Sequence, residues 1–167
     1  MRMAALKAIE YAGNTENCIH LCRLLVTSDP LKRQLQLTLK RTALRVDKSN
    51  EIWNQAFKPI LVNDNIDIEV KKSLIAVIDG VPGIDTMEYL KALIVSQNSS
   101  LRPSAMRALQ RWPNHLAGSL WIQIASADDA TNSEIKLALK GITRILSRKE
   151  IEKDTNRRLM LALSAIV

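Results

Sequence analysis

The segment LRPSAMRALQRWP, residues 101–113, contains a five-residue figure: a small residue, an apolar one, one variable residue, and again a small and an apolar residue. Here the figure reads AMRAL, residues 105–109. Further copies start at residues 5, 73 and 138, and a less regular copy starts at residue 38, so the figure recurs at a nearly constant interval. An interval of roughly 33 residues is typical of a solenoid, in which each repeat buries its apolar face against its neighbours.

The apolar side chains around this figure follow a helical spacing. Leu101, Ala105, Ala108, Leu109 and Trp112 stand at i, i+4, i+7, i+8 and i+11, which places them on one face of a helix. We expect the small residues within that face to let a second helix approach closely.

The rest of the chain reads as helices that alternate in pairs, joined by short turns, so the predicted fold class is all-α. Thr15, Ser49, Asp85 and Ser100 are the expected N-caps, because short polar side chains accept hydrogen bonds from the first free backbone N–H groups. Pro59 is expected to end or bend its helix. The expected helices cover about residues 2–12, 16–26, 31–46, 52–60, 70–81, 85–96, 101–112, 116–127, 134–148 and 152–167.

Length and composition favour one helical domain. A chain of 167 residues with an apolar fraction of 47% can bury a sizeable core. Because it has only one Phe and two Tyr, Leu, Ala and Ile are expected to form most of that core. No apolar run reaches transmembrane length, so no membrane insertion is predicted. The opening MRMAALKAIEYAG lacks a signal-peptide core and reads as a repeat helix without its partner. We expect residues 1–167 to be a single repeat domain from a longer chain, and the compartment stays open.

Two cysteines raise the question of a metal site or a disulfide. Cys18 and Cys22 lie four residues apart, on one stripe with Leu21 and Leu25, and are interpreted as buried thiols that act as small hydrophobes. A disulfide across one helical turn would be strained. A metal would need further ligands, and the two histidines fall on another face and in another repeat. No metal and no cofactor is therefore predicted.

Paired helices at this interval, with the figure on the second helix, resemble HEAT-like repeats of the bilin-lyase type. AMRALQRWPN, residues 105–114, and IKLALKGITRIL, residues 135–146, are similar to HEAT-repeat regions of large bacterial multidomain proteins. The second repeat departs most from the pattern, with Arg41 and Thr42 where a small and an apolar residue are expected. The resemblance implies a right-handed, armadillo-like α-solenoid, an α-α superhelix of four to five helix pairs, and says little about function.

Second helices usually line the concave face of such solenoids, and here they carry many cations. The chain has 24 Lys and Arg against 17 Asp and Glu, which gives a net charge of +7. This charge permits an acidic partner, nucleic acid or an anionic membrane surface. The variable position of the figure is expected to point away from the core, and Ile75 and Asp79 interrupt the row of cations. The predicted binding residues, called the basic ladder, are Lys7, Lys40, Lys71, Arg107, Arg111, Lys136, Lys140 and Arg144.

Three interpretations of the basic ladder stay open: a solvated helix face, a groove for an acidic protein partner or neighbouring domain, and a nucleic-acid groove like that of HEAT-like DNA glycosylases. The glycosylase chemistry needs an acidic residue near stacked aromatics. Trp53, Trp112 and Trp121 fall on core stripes instead, and no catalytic constellation is found. A non-catalytic scaffold that binds protein is the preferred prediction, and nucleic-acid binding is the alternative.

Two further contacts are predicted. Leu37 and Leu44 fall on the outward side of their helix, where they form a small apolar contact patch or pack against a first helix. The exposed ends of a solenoid also predict association with another molecule, which includes a second copy of this chain as a homodimer.

Overall fold

The computed structural model describes residues 2–27, 30–96, 100–112, 117–128 and 130–147. All regular secondary structure in these residues is helical, which confirms the all-α prediction. The expected helix from residue 152 onward lies outside the described residues. Two compact units are present, Met1–Ala108 and Leu109–Val167. None of the described helices combines the length and the apolar character that crossing a membrane requires.

The first unit consists of helices that contact one another in series. Helix α3 packs against α1, against α2 and against a 3-10 turn, and α2 also contacts α4 and α5. The bounds are α1 Arg2–Ala12, α2 Thr15–Val26, α3 Lys32–Val46, α4 Ser49–Ile52 continued by a π-helical segment Trp53–Phe57 and by Lys58–Leu61, α5 Ile68–Ile75, the 3-10 turn Ile78–Gly80, α6 Ile84–Val95 and α7 Arg102–Gln110, whose last two residues belong to the second unit.

The core of the first unit is mainly aliphatic, as the composition predicts. Leu21, Leu39, Phe57, Leu74 and Leu90 come from five successive helices and are fully buried. The large apolar side chains thus supply the main driving force for folding, at about 1.5–3 kcal/mol for each one buried.

The stripe predicted around AMRAL is buried throughout. Leu101, Ala105, Ala108, Leu109 and Trp112 are all inaccessible to solvent or nearly so, while Arg107 at the variable position is exposed. The helical spacing of this segment therefore identified its buried face correctly.

Three of the expected N-caps are wrong. Helix α2 is capped by Asn14, whose side chain accepts a hydrogen bond from the Asn17 backbone N–H at 3.1 Å, while Thr15 is already helical and buried. Ser49 and Asp85 likewise lie inside their helices, after Lys48 and Gly83. Where several short polar residues adjoin, the direction in which the chain enters the helix decides which one caps it.

Pro59 does not end its helix. The chain continues to Leu61 after the π-helical segment Trp53–Phe57, in which the Lys58 backbone N–H donates to the Trp53 carbonyl. Proline has no N–H for the usual bond to the carbonyl four residues back, and a wider turn just before it is a common way to accommodate the ring. The predicted end of the helix at this proline is therefore wrong, and the chain changes helix type just before it instead.

The copy of the figure that starts at residue 73 corrects one expectation. Ile75, expected to point outward from the variable position, is fully buried, and Ala76 is exposed instead. The cause is local: α5 ends at Ile75 and the chain passes into the 3-10 turn Ile78–Gly80, so the helical spacing no longer holds.

The second unit contains a closely packed helix pair, α8 Ala117–Ala125 and α9 Asn132–Leu146. Thr131 caps α9 in a reciprocal arrangement with Glu134, a capping box. A Cβ atom on Gly141 would overlap the indole nitrogen of Trp121, so the ring packs directly against the glycine. This contact confirms that a small residue in the figure lets a second helix approach.

Candidate interaction surface

The structure distributes the predicted basic ladder over both compact units, so its members are described unit by unit. In the first unit Lys7 and Arg107 are exposed on α1 and α7. Lys71 is buried, which corrects the expectation that it faces a ligand. A lysine placed there buries most of its alkyl stem against its neighbours, so it offers little surface to a partner.

Lys40 is engaged within the fold. Its Nζ lies 2.5 Å from Oδ2 of Asp79, and the side chains are 29% and 3% exposed. A buried carboxylate is costly unless an opposite charge compensates it, so this pair links α3 to the 3-10 turn. The sequence predicted Asp79 as an interruption of the basic ladder, whereas the structure makes it the partner of one of its members.

Gly80 permits that ion pair. A Cβ atom at this position would lie 3.0 Å from the Lys40 carbonyl oxygen and 3.1 Å from its Cα, so the two backbones are nearly in contact. The residue after Asp79 therefore has to be small for the carboxylate to reach the ammonium.

In the second unit Lys136 and Lys140 are exposed on α9, and neither has an ion-pair partner among residues 117–128 and 130–147. Arg111 is exposed just after α7. Arg144 is exposed as well, but its Nη1 donates a hydrogen bond to the Gln110 carbonyl. Arg144 thus contacts the carboxyl end of another helix.

A similar contact in the first unit shows that this use of arginine recurs. Arg45 Nε donates to the Glu10 carbonyl at 3.2 Å, and its Nη2 donates to the Gly13 carbonyl. Glu10 and Gln110 each stand five residues after the start of their copies of the figure. Cations at helix carboxyl ends satisfy free carbonyls and oppose the helix dipole. Sequence reasoning missed this role, and the recurrence of Arg near the end of a second helix is the signal that could have revealed it.

Helix α3 exposes apolar side chains. Leu37 and Leu44 are 46% and 47% exposed, so their predicted outward position is confirmed. Arg33 lies on the same side of the helix, four residues before Leu37, and is exposed. Large apolar side chains in a row beside a cation are more informative than single exposed ones.

Polar contacts fix how α1 lies beside this part of α3. Nη1 of Arg41 lies 2.7 Å from Oε1 of Glu10, and the Thr42 hydroxyl donates to the Ile9 carbonyl at 3.4 Å. The carboxyl ends of both helices therefore meet. One residue after Glu10, Tyr11 on α1 is 78% exposed. The two polar contacts place it at about the same position along the helix pair as Leu44.

We group these exposed side chains of two adjacent helices into one candidate surface. Lys7 is exposed one turn before Tyr11, and neither Lys7 nor Arg33 has an ion-pair partner within the described ranges of the first unit. We name this surface the α1–α3 face and define it by Lys7, Tyr11, Arg33, Leu37 and Leu44.

The two cysteines are free and fully buried, as predicted. Burial raises the pKa of Cys18 to about 11, although the Arg45 guanidinium opposes the shift. Burial and the neighbouring Cys18 raise the pKa of Cys22 further. Both thiols are therefore protonated at neutral pH and poor nucleophiles. Groups of three or more metal-ligand side chains do not occur in the described part of the chain.

The three tryptophans are buried, which confirms their prediction as core residues. Trp53 packs against Tyr89 with ring centroids 5.3 Å apart, and the Tyr89 hydroxyl donates to the Leu61 carbonyl at 3.4 Å. Burial raises the pKa of Tyr89 to about 12. None of the tryptophan rings is presented to solvent as a stacking surface for a base.

Comparisons of this chain with protein-family models, with curated proteins and with solved structures found no match. The resemblance to HEAT-like repeats therefore stays a prediction.

Proposed function

We propose that this chain is a non-catalytic protein-interaction module, built as a right-handed solenoid of HEAT-like helix pairs, that binds an acidic protein partner or a neighbouring domain. The nearly constant interval between copies of the figure supports the solenoid. So do the serial contacts in the first unit, where α3 lies between α1 and the 3-10 turn, α2 contacts α4, and Tyr89 of α6 reaches α4. Contacts between successive repeats are the organisation that defines solenoids.

The observation that carries the proposal is the α1–α3 face. Tyr11, Leu37 and Leu44 expose apolar surface on adjacent helices, and Lys7 and Arg33, which have no ion-pair partner within the described residues of the first unit, place positive charge beside it. Exposed apolar patches with a polar rim mark interaction sites. Positive charge around the patch favours an acidic partner, because complementary potentials speed encounter and exclude wrong partners.

The proposed site keeps Lys7 from the basic ladder and omits two other members in the first unit. Lys40 already neutralises Asp79, and Lys71 is buried. Arg107, Arg111, Lys136, Lys140 and Arg144 are exposed, and a role for them in binding stays a prediction.

A selection experiment tests this function. A displayed library of random peptides would be panned on the wild-type chain, with counter-selection on a variant that carries Lys7→Glu, Arg33→Glu, Leu37→Ser and Leu44→Ser. We expect enrichment of peptides rich in Asp, Glu and large apolar residues that no longer bind the variant. Peptides that bind both proteins equally, or no enrichment at all, would contradict the proposal.

A parallel titration distinguishes nucleic acid as the partner. A labelled random-sequence DNA duplex would be titrated with the chain at low and at physiological salt. Phosphate contacts make affinity fall steeply with salt. Micromolar duplex binding that is lost on Lys7→Glu and Arg33→Glu, without peptide enrichment, would replace the protein partner with nucleic acid.

A further inference from the structure

We propose that the occupant of the α1–α3 face is an amphipathic helix with acidic side chains beside its apolar row, laid along α3 next to α1. This inference rests on the proposed function and specifies the partner of the same surface. Spacing, position and charge each bear on it.

The spacing of the two leucines favours a helical partner. Leu37 and Leu44 are seven residues apart on one side of α3, about 10.5 Å along its axis at 1.5 Å per residue. A partner helix repeats its own side chains at i, i+3, i+4 and i+7 and therefore matches this distance. An extended segment presents same-side residues about every 6.6–7 Å, which matches it poorly.

The position of Tyr11 widens the apolar surface to a second helix. The Arg41–Glu10 ion pair at 2.7 Å and the Thr42–Ile9 contact hold the carboxyl ends of α3 and α1 together. Tyr11 and Leu44 therefore stand near one level on neighbouring helices. A helix that lies along the line between α1 and α3 would cross this ion pair, whose Arg41 side chain is 60% exposed, with the Tyr11 ring on one side and Leu44 on the other.

Charge determines the chemistry of the partner beside the apolar row. Lys7 carries positive charge at the middle of α1, and Arg33 carries it at the amino end of α3. The carboxylate of Glu10, where α1 meets α3, is already engaged by Arg41 and is 21% exposed. The surface is therefore positive, and the partner needs Asp or Glu opposite Lys7 and Arg33 to avoid leaving those charges desolvated and unpaired.

The test uses a synthetic probe and a matched control peptide. The probe is a labelled peptide of about 18 residues, long enough for a stable helix on binding, with Leu at i, i+3, i+4 and i+7 and Glu at most other positions. The control has the same composition in scrambled order, which removes the apolar row but keeps the charge. Both are titrated with the full chain by fluorescence anisotropy.

Variants locate the binding on the surface. We expect the double variant Leu37→Ser and Leu44→Ser to bind the probe about tenfold more weakly, because truncation of central apolar contacts has an effect of this size. The double variant Lys7→Glu and Arg33→Glu should also bind the probe about tenfold more weakly, and its affinity should depend less on salt concentration. The control variant, Lys58→Glu with Val62→Ser, changes an exposed cation and an exposed apolar residue at the end of α4 and should bind the probe as the wild type does. Thermal melts confirm that each variant is folded.

The outcomes separate this inference from the proposed function. Equal binding of probe and scrambled peptide, with loss on the α1–α3 variants, would overturn the helical partner and leave an acidic partner at this surface. Binding that no α1–α3 variant weakens, or no binding of either peptide, would overturn both. A probe that prefers its helical order and loses affinity at both pairs of substitutions supports the inference.

Discussion

Helices α3 and α9 carry the same figure at the same place and use it differently. Both have 15 residues, and their copies of the figure start at Thr38 and Ala138. The variable position is a lysine in each, yet Lys40 is bound to Asp79 whereas Lys140 is exposed without a partner among the described residues. An identical residue at an identical place in a repeat thus stabilises the fold in one copy and is left to solvent in the other.

The outward faces of the two helices differ as well. On α3 the solvent side carries Leu37 and Leu44, and on α9 it carries Lys136, Lys140 and Thr143. Of these two helices, α3 is therefore the one that exposes large apolar side chains. Positive charge alone does not distinguish the two helices.

The largest expected effect tests the two lysines directly. Lys40→Ala should lower the free energy of unfolding by about 3 kcal/mol, because the buried carboxylate of Asp79 loses the ammonium that compensates it. Lys140→Ala should change it by less than about 0.5 kcal/mol. Denaturant titrations measure both. Adding Asp79→Asn to Lys40→Met should recover much of the lost stability. Equal losses for Lys40→Ala and Lys140→Ala would contradict the different roles of the two lysines.

The next comparison concerns the fourth position of the figure, which is Arg41 in α3 and Gly141 in α9. Gly141→Ala should cost about 2 kcal/mol despite the better helix propensity of alanine, because the added methyl would meet the Trp121 ring. Arg41→Ala removes an exposed pair with Glu10 and should cost less than about 1 kcal/mol. A neutral Gly141→Ala, measured by denaturant titration, would show that the two helices are not packed through this glycine.

Alkaline pH should destabilise the unit that contains both cysteines. The pKa of Cys18 is about 11 in the folded chain against 9.0 for an ordinary thiol, so the folded state holds its proton more tightly. Stability is full below about pH 9 and falls as pH rises through about 11, by roughly 1–2 kcal/mol for this thiol. Between pH 8 and 11, the free energy of unfolding should fall less steeply with pH in the double variant Cys18→Ala and Cys22→Ala than in the wild type. An unchanged slope would mean that other groups cause the loss.

The smallest effect concerns the starts of the two helices. Thr131→Ala should cost about 1 kcal/mol because it removes the capping box of α9, while Thr131→Ser should keep most of it. At the start of α3, Leu31 has φ −92° and ψ 18°, outside the extended region that a cap requires. Leu31→Thr is therefore expected to give no stabilisation, and thermal melts that show a gain would contradict this account of the cap.

Much of the local structure could be predicted from spacing alone. The buried stripe around AMRAL, the buried cysteines and tryptophans and the outward leucines all follow from helical periodicity. These predictions succeed because one face of each helix is buried, so position along the helix fixes exposure.

Some failures have a local cause, at the N-caps and at Ile75, and the others occur where contacts between helices decide the outcome. The pairing of Lys40 with Asp79 depends on the 3-10 turn that follows α5, and the same turn buries Ile75. Arg45 and Arg144 bond to carbonyls at the ends of other helices. Such partners come from a different repeat of the chain, and periodicity within one helix carries no information about them.

The most direct test of the central claim, that the α1–α3 face binds an acidic amphipathic helix, is a titration of the isotopically labelled chain with the acidic probe, followed by two-dimensional NMR. We predict that the largest shift changes fall on Lys7, Tyr11, Arg33, Leu37 and Leu44, with little change on α9. Changes centred on Lys136, Lys140 and Arg144, or no changes at concentrations that saturate the probe, would contradict the claim.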